Sequence, residues 1–231
     1  MKVLENAVLA CGIALAGWFV GDAIITFRAM DQVVEVRGLD ERIVSANEGS
    51  LDLRYVVSAP SIKDLSVQLE NTQKAVEEFL LSQGFSGSAV QKIAVTITDN
   101  AVNGSSNEVI ASGRYSARSG TQVFSSDVPK IQALAQETDQ LIAKGVALES
   151  TLPRFSFTDL NSLKPKMLVA ATQSAREAAQ SFARDSGARL GGIKSATQGL
   201  FSITAPGVDY DDQGSIQKRV RVVTRVSYYM E

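Results

Sequence analysis

Residues Leu163–Gly187 read "LKPKMLVAATQSAREAAQSFARDSG". Ala, Gln, Arg and Glu dominate, and all are good helix formers. Leu168, Ala171, Ala175, Ala178 or Ala179, and Phe182 recur at steps of three and four. That spacing predicts one amphipathic helix over Leu163 to Asp185 with this stripe facing inward. Ser186-Gly187 ends it, because glycine takes the left-handed backbone that closes a helix. A short strand, Arg154 to Thr158, precedes the helix, and Gly191-Gly192-Ile193 to Ile203 supplies strand after it.

The same mixture extends outward. Val34 and Val36 alternate with Glu35 and Arg37, and Leu51, Leu53, Tyr55 and Val57 alternate with Asp52 and Arg54. Period-two patterning predicts two antiparallel strands joined near Ala46-Asn47-Glu48-Gly49. Ser61-Ile62-Lys63-Asp64 resembles a capping box, with Asp in place of Glu or Gln. It opens a helix over Ser61 to Gln83 with Leu65, Leu69, Thr72, Val76 and Phe79 on one face, and Gly84 stops it. Ile93, Val95 and Ile97 mark a strand, Asn100 to Ser106 with Asn103-Gly104 inside it a turn, and Val109 to Phe124 one or two further strands. Ser126-Asp127-Val128-Pro129 has the shape of a helix start, with a cap and Pro in the first turn, and the helix carries Ile131, Leu134, Thr138 and Leu141 to about Lys144, before Gly145. Val220, Val222, Thr224, Val226 and Tyr228 make a final alternating strand. The expected fold is α+β, a largely antiparallel sheet with about three amphipathic helices packed on it.

Composition narrows the chemistry. The 231 residues contain no histidine and one cysteine, Cys11, and the formal net charge is −2. Ser-His-Asp and Cys-His centres are excluded by counting, as are an internal disulfide and a thiolate metal site. No global basic field points to nucleic acid.

The opening stretch "AVLACGIALAGWFVGDAIITF", Ala7 to Phe27, is almost wholly apolar. As a helix it spans about 30 Å, the thickness of a bilayer core. Trp18, Asp22 and Arg28 then lie toward the far interface. A cleaved signal peptide is the rival reading, with Lys2 as its charge and Ala14-Leu15-Ala16 as its nearest cleavage site. A lipoprotein site at Cys11 and a buried core helix are the other readings. The first has too short a leader, and the second is apolar all round rather than on one stripe. The expected organisation is a cytoplasmic segment 1–6, a transmembrane anchor 7–27 and a domain over 32–231. Gly17-Trp18-Phe19-Val20-Gly21 is a G-x-x-x-G with Gly12 above it, so Gly12, Gly17 and Gly21 are candidate contacts between membrane helices.

Other constellations carry less. Asp209-Tyr210-Asp211-Asp212 offers oxygen ligands to a hard cation, but it lacks the glycine and distal Glu of an EF-hand loop, and a solvated loop is the better reading. A carboxylate enzyme built on Asp209 with Asp211 or Asp212 lacks a second group at useful spacing. Gly187 to Gly192 leaves a helix and enters a strand, the wrong polarity for a phosphate cradle. Lys218, Arg219, Arg221 and Arg225 cluster on the last strand, with Arg219, Arg221 and Arg225 on one face. They suit a solvated face or a subunit contact, and the aromatics of an RNA-binding sheet are missing. No catalytic, cofactor-binding or metal-binding residue is assigned.

Three blocks together resemble the SIMPL-domain family of bacterial envelope proteins. They are "VVEVRGLDERIVSANEGSLDLRYVVSA", the helix ending "FLLSQGF", and "FSFTDLNSLKPKMLVAATQSAREAAQSFARDSGARLGGIKSATQGLF". The last is the most specific, and "VRVVTRVSYYM" looks like the family's closing strand. The resemblance covers about residues 32 to 230. It implies an α+β fold, export across the inner membrane and, as in some members, assembly into large homo-oligomeric rings. It implies no catalytic residues and no cofactor. The expected partners are therefore copies of the chain itself and inner-membrane lipid, with no nucleic acid. The expected role is structural or scaffolding, with the domain facing the periplasm. The alternative is a soluble periplasmic binding module involved in envelope or oxidative stress tolerance.

Overall fold

The computed structural model describes residues 12–21, 32–102 and 113–231. The chain is α+β, with two four-stranded sheets and antiparallel pairing wherever the register is defined. In chain order the elements are β1 (Val33–Ser45), β2 (Glu48–Ala59), α1 (Ile62–Ser82), β3 (Val90–Asp99), β4 (Tyr115–Ser125), α2 (Val128–Gln136), α3 (Asp139–Ala143), β5 (Leu148–Ser156), α4 (Leu160–Asp185), β6 (Leu190–Gln198), β7 (Ser202–Thr204) and β8 (Gln217–Met230). They fall into two compact units. The first takes the described residues up to Arg42 with Asn161–Ser202 and Val220–Glu231; the second takes those of Ile43–Leu160 with Ile203–Arg219.

The first sheet runs β1-β8-β6, with β7 beside β8. The alternation read from β8 holds: Val220, Val222, Thr224, Val226 and Tyr228 are all buried. Val36, Val226 and Tyr228 pack against Ala175 and Ala179 of α4. The helix stripe differs from the expected one. Met167, Ala171, Ala175, Ala179 and Ala183 face inward at strict steps of four, while Phe182 is 60% exposed. Gly38 explains the change. A Cβ there would overlap the Ala171 carbonyl oxygen and stand 2.9 Å from the Ala175 Cβ. Strand and helix backbones approach too closely for anything larger than alanine, so the ridge of smallest residues turns inward.

The second sheet runs β3-β4-β2-β5. Leu51, Leu53, Tyr55 and Val123 meet Val76, Phe79 and Leu80 of α1, Ile131 and Leu134 of α2, and Leu141 of α3. Ser61 caps α1 as expected, accepting from the Asp64 N–H at 3.1 Å. Asp127 caps α2, and Gly84, Gly145 and Gly187 take positive φ at the helix stops. The single helix expected to Lys144 is instead two, α2 and α3. The Thr138 hydroxyl donates to the Ala135 carbonyl at 3.0 Å, which competes with the helical ladder at the break.

Three strand expectations are corrected. β1 and β2 are not a hairpin: they belong to different sheets. The link cannot close as a tight turn, because the Ala46 N–H donates to the Ile216 carbonyl at 2.8 Å and the Asn47 N–H to the Ser156 carbonyl at 3.0 Å. β5 begins at Leu148 and runs through Pro153. An edge strand tolerates proline, since its missing N–H interrupts no ladder on the outer side. On β3, Val95 and Ile97 are 40% and 54% exposed, and the register shifts between Ile93 and Thr96, so plain alternation does not hold.

Residues 12–21 are helical, and Ile13, Leu15, Trp18, Phe19 and Val20 are 59–76% exposed. Among the described residues no helix is long and apolar enough to cross a membrane. The rest of the 7–27 span lies outside the described residues, as do segment 1–6, Cys11, Asp22, Arg28 and Asn103-Gly104.

Candidate functional site

Helices cover one face of the second sheet. Register places Ser50, Asp52 and Arg54 of β2, Arg118, Gln122 and Phe124 of β4, and Leu152 and Arg154 of β5 on the other. Asp52 is the anomaly of that face. It sits on a central strand and is only 4% exposed. Its Oδ2 accepts from the Arg154 guanidinium at 2.8 Å, while its Oδ1 has no partner among the described residues. A buried carboxylate needs such a counterion to stay charged. The pair also fixes the guanidinium, whose side chain remains 42% exposed.

Beside Arg154 lies a cavity of about 320 Å³, and its walls include Ser50, Gln122, Phe124, Ser156 and Asp211. One wall comes from the acidic loop, which β8 staples in place. Lys218 Nζ donates to Asp211 Oδ1 at 2.8 Å and to the Asp212 carbonyl at 2.9 Å. Arg219 reaches Thr204 Oγ1 at 3.1 Å, the Val208 carbonyl, and Asp209 at 3.4 Å. The Phe155 N–H donates to the Gln213 carbonyl at 2.7 Å. Asp209 and Asp211 stay exposed, as a solvated loop does, while two cations of β8 anchor the loop through ion pairs. Among the described residues, no group of three or more acids, histidines or cysteines is placed to hold a metal.

The four cations of β8 do not act together. Lys218 points to the buried side of the strand, opposite the face that Arg219, Arg221 and Arg225 share. Arg219 is spent on the loop. Arg225 pairs with Glu35 at 3.2 Å, both half exposed, and Arg221 is exposed. Gly12, Gly17 and Gly21 lie on the exposed helical segment, where an added Cβ would meet nothing within 4 Å, and Trp18 is 76% exposed on the same segment.

Asp52 and Arg154 escaped the sequence reading. Asp52 looked like an ordinary outward residue of an alternating strand. Arg154 stands at the start of the short strand expected over Arg154 to Thr158, with nothing local to mark it. The register Ser50↔Arg154 brings the two together across 102 residues of sequence, and no local pattern encodes it.

No curated protein matches the chain. The model of the SIMPL family, described as a protein of unknown function (DUF541), matches residues 34–226, and the chain belongs to that family.

Proposed function

We propose that this protein is a cell-envelope component anchored in the inner membrane by residues 7–27, with its domain in the periplasm. It assembles with copies of itself in a structural or scaffolding role and catalyses no reaction. The observation that carries this reading is the helical segment 12–21, whose five large apolar side chains are 59–76% exposed. Leaving such side chains in water costs roughly 25 cal/mol per Å² of apolar surface, and a bilayer removes that cost. Trp18, Asp22 and Arg28 suit the interface, and Gly12, Gly17 and Gly21 suit close packing between anchors. Arg221 and Arg225 on the exposed side of β8 suit charged contacts between subunits.

The test is alkaline extraction of membranes, then light scattering of the detergent-solubilised full chain. Retention in the membrane and a mass of several subunits are expected. Release by alkali or a monomeric mass overturns the reading. A second reading, a soluble periplasmic binding module, draws on the cavity beside Arg154. The mass of the mature N-terminus separates the two, since a start at or beyond Gly17 leaves no anchor.

A further inference from the structure

We infer that the cavity beside Arg154 is a binding site for a free α-amino acid, held at both its charged ends. Arg154 spends one N–H on Asp52 and keeps the rest of its fork for a planar carboxylate. Ser50, Gln122 and Ser156 also line the cavity, and their side chains make no hydrogen bond among the described residues. These donors suit an anionic group.

The same walls carry two acids, each with only one oxygen engaged. Glu48 Oε1 accepts from the Thr158 hydroxyl at 3.2 Å, and Asp211 Oδ1 accepts from Lys218. Their second oxygens remain for a cation. A simple anion would meet two carboxylates here, and a simple cation would meet a guanidinium held rigid. A zwitterion satisfies both sets and adds no net charge. Phe124, 39% exposed at the wall, offers a ring face for the ligand's side chain. The volume, about 320 Å³, is at the small end of ligand cavities, as an amino acid requires. Asp52 is a positioning residue: it orients Arg154 from below and does not reach the ligand.

The experiment screens the twenty common L-amino acids against the full chain in detergent by thermal shift, then titrates the best by calorimetry. That amino acid is compared with its amide, which lacks the carboxylate, and with its deamino acid, which lacks the ammonium. One saturable site is expected, with each one-ended analogue at least about tenfold weaker, or 1.4 kcal/mol. Arg154→Gln is expected to abolish binding, and Glu48→Gln to weaken the amino acid while leaving the deamino acid unchanged. The inference is overturned if no amino acid shifts the transition or if the one-ended analogues bind as well as the parent. Undiminished binding by a folded Arg154→Gln overturns it too. The analogue comparison uses the unmutated chain, so it stands even where a variant fails to fold.

Discussion

Gly38 of β1 lies so close to α4 that a methyl group in place of its hydrogen would stand 2.9 Å from the Ala175 Cβ and overlap the Ala171 carbonyl. Backbone atoms cannot rotate away as a side chain can. Gly38→Ala is therefore expected to destabilise the protein by about 1–3 kcal/mol, the usual cost of overpacking. Urea denaturation followed by circular dichroism measures it. A change within about 0.5 kcal/mol, the range of neutral surface substitutions, would show that strand and helix separate freely.

Asp52 and Arg154 are unequal partners, because one is buried and the other is half exposed. Arg154→Ala strands a carboxylate beneath the sheet surface and is expected to cost about 2 kcal/mol or more. Asp52→Asn leaves an arginine that reaches water and is expected to cost about 1 kcal/mol or less. Combining the two should recover most of the loss from Arg154→Ala. Equal single-variant costs in denaturant melts would contradict the asymmetry.

Lys218 has a side chain only 1% exposed, while that of its partner Asp211 is 47% exposed. Asp211→Ala leaves the ammonium with the Asp212 carbonyl alone, for an expected loss of about 1–3 kcal/mol. Lys218→Met fills the same space without a charge and leaves Asp211 to solvent, for an expected loss below about 1.5 kcal/mol. The acid should therefore matter more than the base it serves, and paired stability curves decide.

Asp99 and Arg114 close the described end of the β3–β4 pair at 3.1 Å. The Arg114 hydrogen bond, helped by the Ala101 N–H and opposed by desolvation, holds the Asp99 carboxyl below its ordinary range. A depressed acid stabilises the folded state above its unfolded pKa, about 3.9, and that stabilisation is lost as pH falls through the folded value. The Asn100 N–H, which donates to the Arg114 carbonyl, reports on the pair. Its exchange protection is expected to drop in acid for the native chain, while Asp99→Asn starts lower and stays flat. Identical profiles for the two proteins would remove the pair from any role at this end.

Elements set by local pattern were legible in the sequence. The Ser61 and Asp127 caps, the glycine stops and the buried face of β8 all follow from nearest-neighbour chemistry. What depended on distant partners was not legible. The inward stripe of α4 is decided by Gly38, more than a hundred residues away, and the strand pairing of β1 by β8. The candidate site failed for the same reason. Its acidic loop and the nearby cations Lys218 and Arg219 were visible as composition, but the Asp52–Arg154 pair exists only once register is set.

The strand order β1-β8-β6 also fixes a schedule. β8 is the middle strand of its sheet and the last of its strands to be synthesised. Until it emerges, β1 and β6 share no neighbour and each exposes unpaired backbone. The four strands of the second sheet are all made by Ser156, but their unit is completed only by Ile203–Arg219, whose Gln213 and Ile216 carbonyls accept from the Phe155 and Ala46 N–H groups. Both units therefore wait on the last third of the chain, and the vulnerable interval for misassociation is the time between release of Ser45 and arrival of Val220.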